Sequence, residues 1–146
     1  MKRIFTFMTA LFIGAVATAQ VTVTFQVDVT NYVAGGATLD ATGIRVGGNF
    51  SSNGATANGG PMADWSPTTP TSAMTDLGNG IWEIAVDFPA SSVGLPLLYK
   101  FINGNWGMNE GTDPANTIVA GGCGVDDGSG NINRTLQIPD VNTTLT

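Results

Sequence analysis

Residues 21 to 30 alternate without a break. Val21, Val23, Phe25, Val27 and Val29 fall on one face, and Thr22, Thr24, Gln26, Asp28 and Thr30 on the other. A period of two rich in β-branched residues marks a strand with one face in the core and one toward water. The pattern returns in Ile44, Val46, Gly48 and Phe50, and again in Trp82, Ile84, Val86 and Phe88, with Glu83 and Asp87 facing outward. By that parity Trp82 is a core residue. Leu97, Tyr99 and Phe101 make a fourth apolar face with Lys100 opposite, and Leu136 and Ile138 complete a fifth over residues 132 to 138. Gly35-Gly36, Asn79-Gly80 and Asn103-Gly104 supply turn chemistry between them. No window after residue 19 holds a helical period, and there is no internal repeat. The expectation is an all-β sandwich with a single core.

The first nineteen residues read differently. Lys2 and Arg3 precede an apolar stretch from Ile4 to Val16, and Ala17-Thr18-Ala19 follows before Gln20. A basic start, an apolar middle and an A-x-A site are the layout of a secretory signal peptide. A membrane helix needs about 20 apolar residues, so this stretch is too short to span. The expected organisation is a signal peptide over 1–19, a β-sandwich over 20–140, and a tail over 141–146 that begins a linker. The product is expected to be secreted or at the cell surface.

Charge and composition then exclude whole classes of chemistry. Beyond residue 19 only Arg45, Lys100 and Arg134 are basic, against eleven acids, a net charge of −8. Nucleic-acid affinity comes from clustered Lys and Arg, so no nucleic-acid partner is expected. A neutral ligand such as a glycan is compatible with this surface. There is no His, which removes Ser-His-Asp and Cys-His catalysis and His-ligated metals. Cys123 is the sole cysteine, so no disulfide forms within the chain and no Cys-rich zinc site exists.

The strand positions carry short motifs in a fixed order: Val46-Gly47-Gly48-Asn49-Phe50, Asp64-Trp65, Met74-Thr75-Asp76, Gly80-Ile81-Trp82, the run from Tyr99 to Gly107, Asn109-Glu110 and Asn133-Arg134. In that order they resemble the starch- and glycogen-binding modules, including the glycogen-binding domain of the AMP-activated kinase β subunit. The likeness is nearest to versions in secreted proteins of Bacteroidetes, and it spans about Val21 to Ile138. It implies an immunoglobulin-like antiparallel β-sandwich that holds a helical α-glucan with two tryptophans and a nearby lysine. Carried onto this chain, those residues are Trp65, Trp106 and Lys100, with Asn105 and Asn133 as further polar contacts. The chemistry agrees, because a pyranose offers an apolar C–H face to an indole while its hydroxyls need donors and acceptors around it.

Two departures bear on that transfer. Fourteen residues separate Phe50 from Trp65, so Trp65 sits on a long segment, Ser51 to Ser72, made mostly of Ser, Asn, Gly, Ala, Thr and Pro. A loop of such length is usually functional or disordered. The second departure is the short run from Asn103 to Trp106. A two-residue turn at Asn103-Gly104 pairs Phe101 with Trp106 and sends the indole into the core. A three-residue loop pairs Ile102 with Trp106 and places the indole on the Lys100 face. The three-residue loop is the favoured expectation.

Catalysis is not expected. A glycosidase needs two carboxyl groups about 5–10 Å apart, and none of the eleven acids stands in a recognisable motif. Asp126 to Asn131 lacks the alternating ligands and terminal Glu of a calcium-binding EF-hand and reads as an acidic turn. No metal or cofactor is expected. Arg134 is expected to pair with a surface acid. Two readings of function therefore stand: a non-catalytic module that binds α-glucan, or a structural spacer or adhesion domain that kept the fold without the ligand. The unpaired Cys123 in an oxidising compartment favours a piece of a longer, multidomain protein.

Overall fold

The computed structural model describes residues 20–112, 118 and 121–146. The expected signal peptide over 1–19 lies outside the described residues. Among the described residues, strands form two sheets that face each other across one core. The first sheet carries β1 (Gln20–Asp28), β3 (Thr56–Ala57), β4 (Gly60–Pro61), β5 (Thr75–Gly78), β6 (Ile81–Pro89) and β10 (Thr143–Leu145), in the order β10-β1-β6-β3-β4 with β5 also on β6. The second carries β2 (Ile44–Gly48), β7 (Pro96–Asn103), β8 (Val125–Asp126) and β9 (Ile132–Gln137), in the order β2-β7-β9-β8. The all-β sandwich expectation holds.

Register follows from the alternation. β1 and β6 pair antiparallel over their full length, with Val23 opposite Val86 and Phe25 opposite Ile84. On the solvent side the same register sets Thr22 against Asp87 and Gln26 against Glu83, and both pairs hydrogen-bond, at 2.6 Å and 2.7 Å. The inward residues Val23, Phe25, Val46, Phe50, Val86, Phe88 and Leu97 are fully buried. Phe25 meets Phe50 and Tyr99 edge-on, with ring centroids 6.0 Å and 4.9 Å apart. Trp82 is half-buried and packs against this core, its ring lying over Gly43, where a Cβ would come within 2.6 Å of it.

Three expectations need correcting. β1 ends at Asp28, not Thr30: the Asp28 carboxylate accepts from the Thr30 amide at 2.8 Å, and a single helical turn, α1 (Thr30–Ala34), follows. Residues 143–145, expected to begin a linker, instead add β10 as a parallel edge strand beside β1. The segment from Ser51 to Ser72 is folded. Asn58 and Gly59, both at positive φ, form the two-residue turn joining β3 to β4, and Thr56 pairs with Asp87 of β6. The additional residues after Phe50 thus extend the first sheet before the chain crosses to Trp65 beside the second.

Candidate functional site

The outer face of β7 is where the second sheet stops being half-exposed. Leu97, Tyr99 and Phe101 point into the core, yet Lys100 and Ile102 on the other face are also buried, at 5 % and 1 % exposure. They are covered by two segments that strand periodicity does not describe, the turn around Trp106 and the end of the long loop at Trp65.

The Trp106 turn contradicts both hairpin expectations. Ile102 pairs with Asn109 rather than Trp106, so the connection is longer than three residues, and Trp106–Met108 form a 3-10 turn. The Asn105 side chain accepts from the Trp106 amide at 2.8 Å, capping that turn. Asn105, expected to touch a ligand, therefore has a local structural role and does not line the cleft described below. Asn109 ties the turn to the sheet: its amide donates to the Trp106 carbonyl, and its Oδ1 accepts from Lys100 Nζ at 3.4 Å. The next residue, Glu110, is 2 % exposed. Its carboxylate accepts from the Phe101 amide at 3.0 Å and from both Nε and NH2 of Arg134, the latter at 2.6 Å. The Arg134 guanidinium also lies 5.4 Å from the Phe101 ring centroid. Arg134 therefore pairs with a buried acid, not a surface one, and this bidentate contact raises its pKa.

Trp65 arrives from the other side. Its φ is +48°, a left-handed conformation rarely adopted by a bulky residue, and its amide donates to the Gly48 carbonyl at 2.8 Å. The flanking Ser and Thr side chains hold this shape. Ser66 Oγ donates to Asp64 O, Thr69 Oγ1 and Ser72 Oγ donate to Ser66 O, and Arg45 reaches Thr69 O at 3.2 Å. The composition that suggested low complexity is the loop's own set of hydrogen-bonding partners.

The result brings the two tryptophans together. Their ring centroids are 6.3 Å apart with planes tilted by 40°, Trp65 half-buried and Trp106 36 % exposed. Trp106 lies over β2 only because residue 47 is glycine; a Cβ there would stand 3.0 Å from the indole. The pair forms one side of a cleft of about 500 Å³ whose lining includes Lys100, Asn109, Asp127, Asn131 and Asn133. Trp65, Lys100, Trp106 and Asn133 of the expected set thus share one cavity. Asn109 and the Asp127–Ile132 wall were not anticipated. Only the Asp126-to-Asn131 turn signature hinted at an ordered loop there.

Two polar groups of this cleft are under-satisfied. Among the described residues, both amide atoms of Asn133, a residue 1 % exposed, have no hydrogen-bond partner, a costly state for a buried amide. Burial lowers the Lys100 pKa, while the charges of Glu110 and Asp127 act the other way. Asp127 is held below the ordinary carboxylate range by the Ser129 amide and then the Asn131 side chain; nearby Asn133 also lowers it, although the two do not meet hydrogen-bond geometry. Among the described residues no three His, Cys, Asp or Glu side chains cluster so as to hold a metal ion, and no helix is long and apolar enough to cross a membrane. No family model, curated protein or solved structure matches the chain.

Proposed function

We propose that the chain is a non-catalytic carbohydrate-binding module, immunoglobulin-like in fold, that holds an α-glucan such as starch or glycogen against Trp65 and Trp106. The observation that carries this reading is the tilted indole pair beside a buried lysine. Successive pyranose rings of a helical α-glucan turn relative to one another, so two platforms inclined by 40° suit its curve better than that of a flat ribbon. Lys100 supplies unused donors, and the unpartnered Asn133 amide supplies both a donor and an acceptor. The motif order and the signal-peptide layout of residues 1–19 support a secreted, multidomain protein of the Bacteroidetes type.

The test is affinity electrophoresis through gels with and without starch. Wild-type protein is expected to be retarded by starch, and Trp65→Ala and Trp106→Ala each to lose about tenfold or more in affinity, as aromatic anchors do. No retardation of the wild type, or retardation unchanged in both variants, rejects the reading in favour of a structural spacer or adhesion domain.

A further inference from the structure

The cleft that holds the tryptophans also contains a carboxylate to which the carbohydrate-binding reading gives no role. Asp127 is exposed and lines the cleft, in the loop between β8 and β9. Its Oδ1 accepts from the Ser129 and Asn131 amides at 2.8 Å and 3.3 Å, and its Oδ2 accepts from the Asn131 side chain at 3.0 Å. A carboxylate has about four acceptor positions, so these bonds fix its orientation and leave one free on Oδ2. The neighbouring Asp126 has a parallel local role, accepting from the Gly128 and Gly130 amides, but it does not line the cleft.

Lys100 has the reverse imbalance. An ammonium has three donors, and the one hydrogen bond it makes among the described residues is the 3.4 Å contact to Asn109. Asn133 lines the same cleft, able to donate and accept and, among the described residues, doing neither. The cleft therefore presents a free acceptor, free donors and an unused amide together.

We propose that Asp127 is a specificity-determining residue that accepts a sugar hydroxyl while Lys100 donates to the adjacent one, so that the cleft selects uncharged sugars bearing neighbouring hydroxyls. The inference rests on the carbohydrate-binding reading and narrows it. A hydroxyl both donates and accepts, so a vicinal diol meets both charges without bringing one of its own. An acidic sugar that pairs its carboxylate with Lys100 also brings it beside Asp127, and an amino sugar that pairs its ammonium with Asp127 also brings it beside Lys100. Either charge loses to its like neighbour part of what its partner gives, at the cost of desolvation.

The experiment is calorimetric titration of the full chain with maltoheptaose, oligogalacturonate and chitosan oligomers. Wild type is expected to bind only the first. Asp127→Asn retains a side chain able to make the same turn; it is expected to weaken maltoheptaose by about tenfold, the effect of one hydrogen bond to a charged group. It is also expected to strengthen oligogalacturonate, because Lys100 then faces no opposing carboxylate. Asp126→Ala, which loosens the same loop from outside the cleft, is expected to do neither. If Asp127→Asn leaves maltoheptaose affinity and the neutral-to-acidic ratio unchanged, or if Asp126→Ala reproduces its effects, the assignment fails while the carbohydrate reading stands. Tight wild-type binding of either charged oligomer also overturns it. Wild-type protein that binds none of the three overturns both.

Discussion

Gly47 is the position from which the tryptophan pair can be disturbed without altering either indole. It faces Lys100 across the β2–β7 ladder, and a Cβ on it would lie 2.8 Å from Ile102 Cδ1 and 3.0 Å from Trp106 Cη2. Carbon atoms rest at about 3.5–4.0 Å, so the neighbours of an alanine must retreat by roughly 0.5–1 Å. The Ile102 Cδ1 end must turn within its enclosed site, at 1 % exposure, while the Trp106 indole, with solvent on one side, moves outward. Gly47 is not among the glycines at positive φ, so Gly47→Ala adds no backbone strain. Alanine restricts the unfolded chain, a gain of about 0.4–1 kcal/mol, against a packing cost of about 1–3 kcal/mol if the ring did not yield. The net change in stability is expected to be on the order of 1 kcal/mol, a Tm shift within about 5 °C. A radial gap of 0.5–1 Å forfeits a quarter to a half of a van der Waals well. If each ring contributes about 2 kcal/mol as an anchor, starch affinity falls roughly two- to fivefold. Circular dichroism offers a readout independent of ligand, because indoles 6.3 Å apart couple and give an exciton couplet. Gly47→Ala is expected to diminish that couplet and the affinity together. A folded Gly47→Ala protein with both unchanged refutes the argument that the glycine sets the platform.

Two further substitutions separate the scaffold from the cleft. Glu110→Ala leaves Arg134 and the Phe101 amide without their buried acceptor; it is expected to cost about 3 kcal/mol and lower Tm by on the order of 10 °C, measured by thermal melting. Lys100→Met is expected to be at least as stable as wild type at neutral pH while losing starch affinity, because burial disfavours the ammonium that the ligand needs. The sign of the pH dependence follows. The folded protein holds the Lys100 proton less tightly than the unfolded chain, so this residue's contribution makes stability rise as pH climbs from its lowered pKa toward the ordinary lysine value. Urea titrations across that alkaline window are expected to show a more positive slope in wild type than in Lys100→Met, because Tyr99, whose pKa burial raises, contributes the opposite sign equally in both. An identical slope in both contradicts it.

What could be read without coordinates was what is local in the chain. The alternation in Val21–Phe25, Ile84–Phe88 and Leu97–Phe101 determined which residues enter the core, because a strand's side chains change face at every residue whatever surrounds it. The same locality explains Asn79-Gly80, whose positive φ values close the β5–β6 hairpin. The cleft is the opposite case. Trp65 and Trp106 lie on segments with no strand period, and their meeting depends on where a folded loop and a 3-10 turn come to rest. Lys100 sits on the predicted outward face, yet it is buried because those two segments close over it. The Glu110–Arg134 pair that anchors the turn joins residues far apart in the chain, with nothing in their spacing to announce it. Periodicity decided the sheets because it is a property of neighbours; only the tertiary structure decided the site, because its parts are neighbours in space alone.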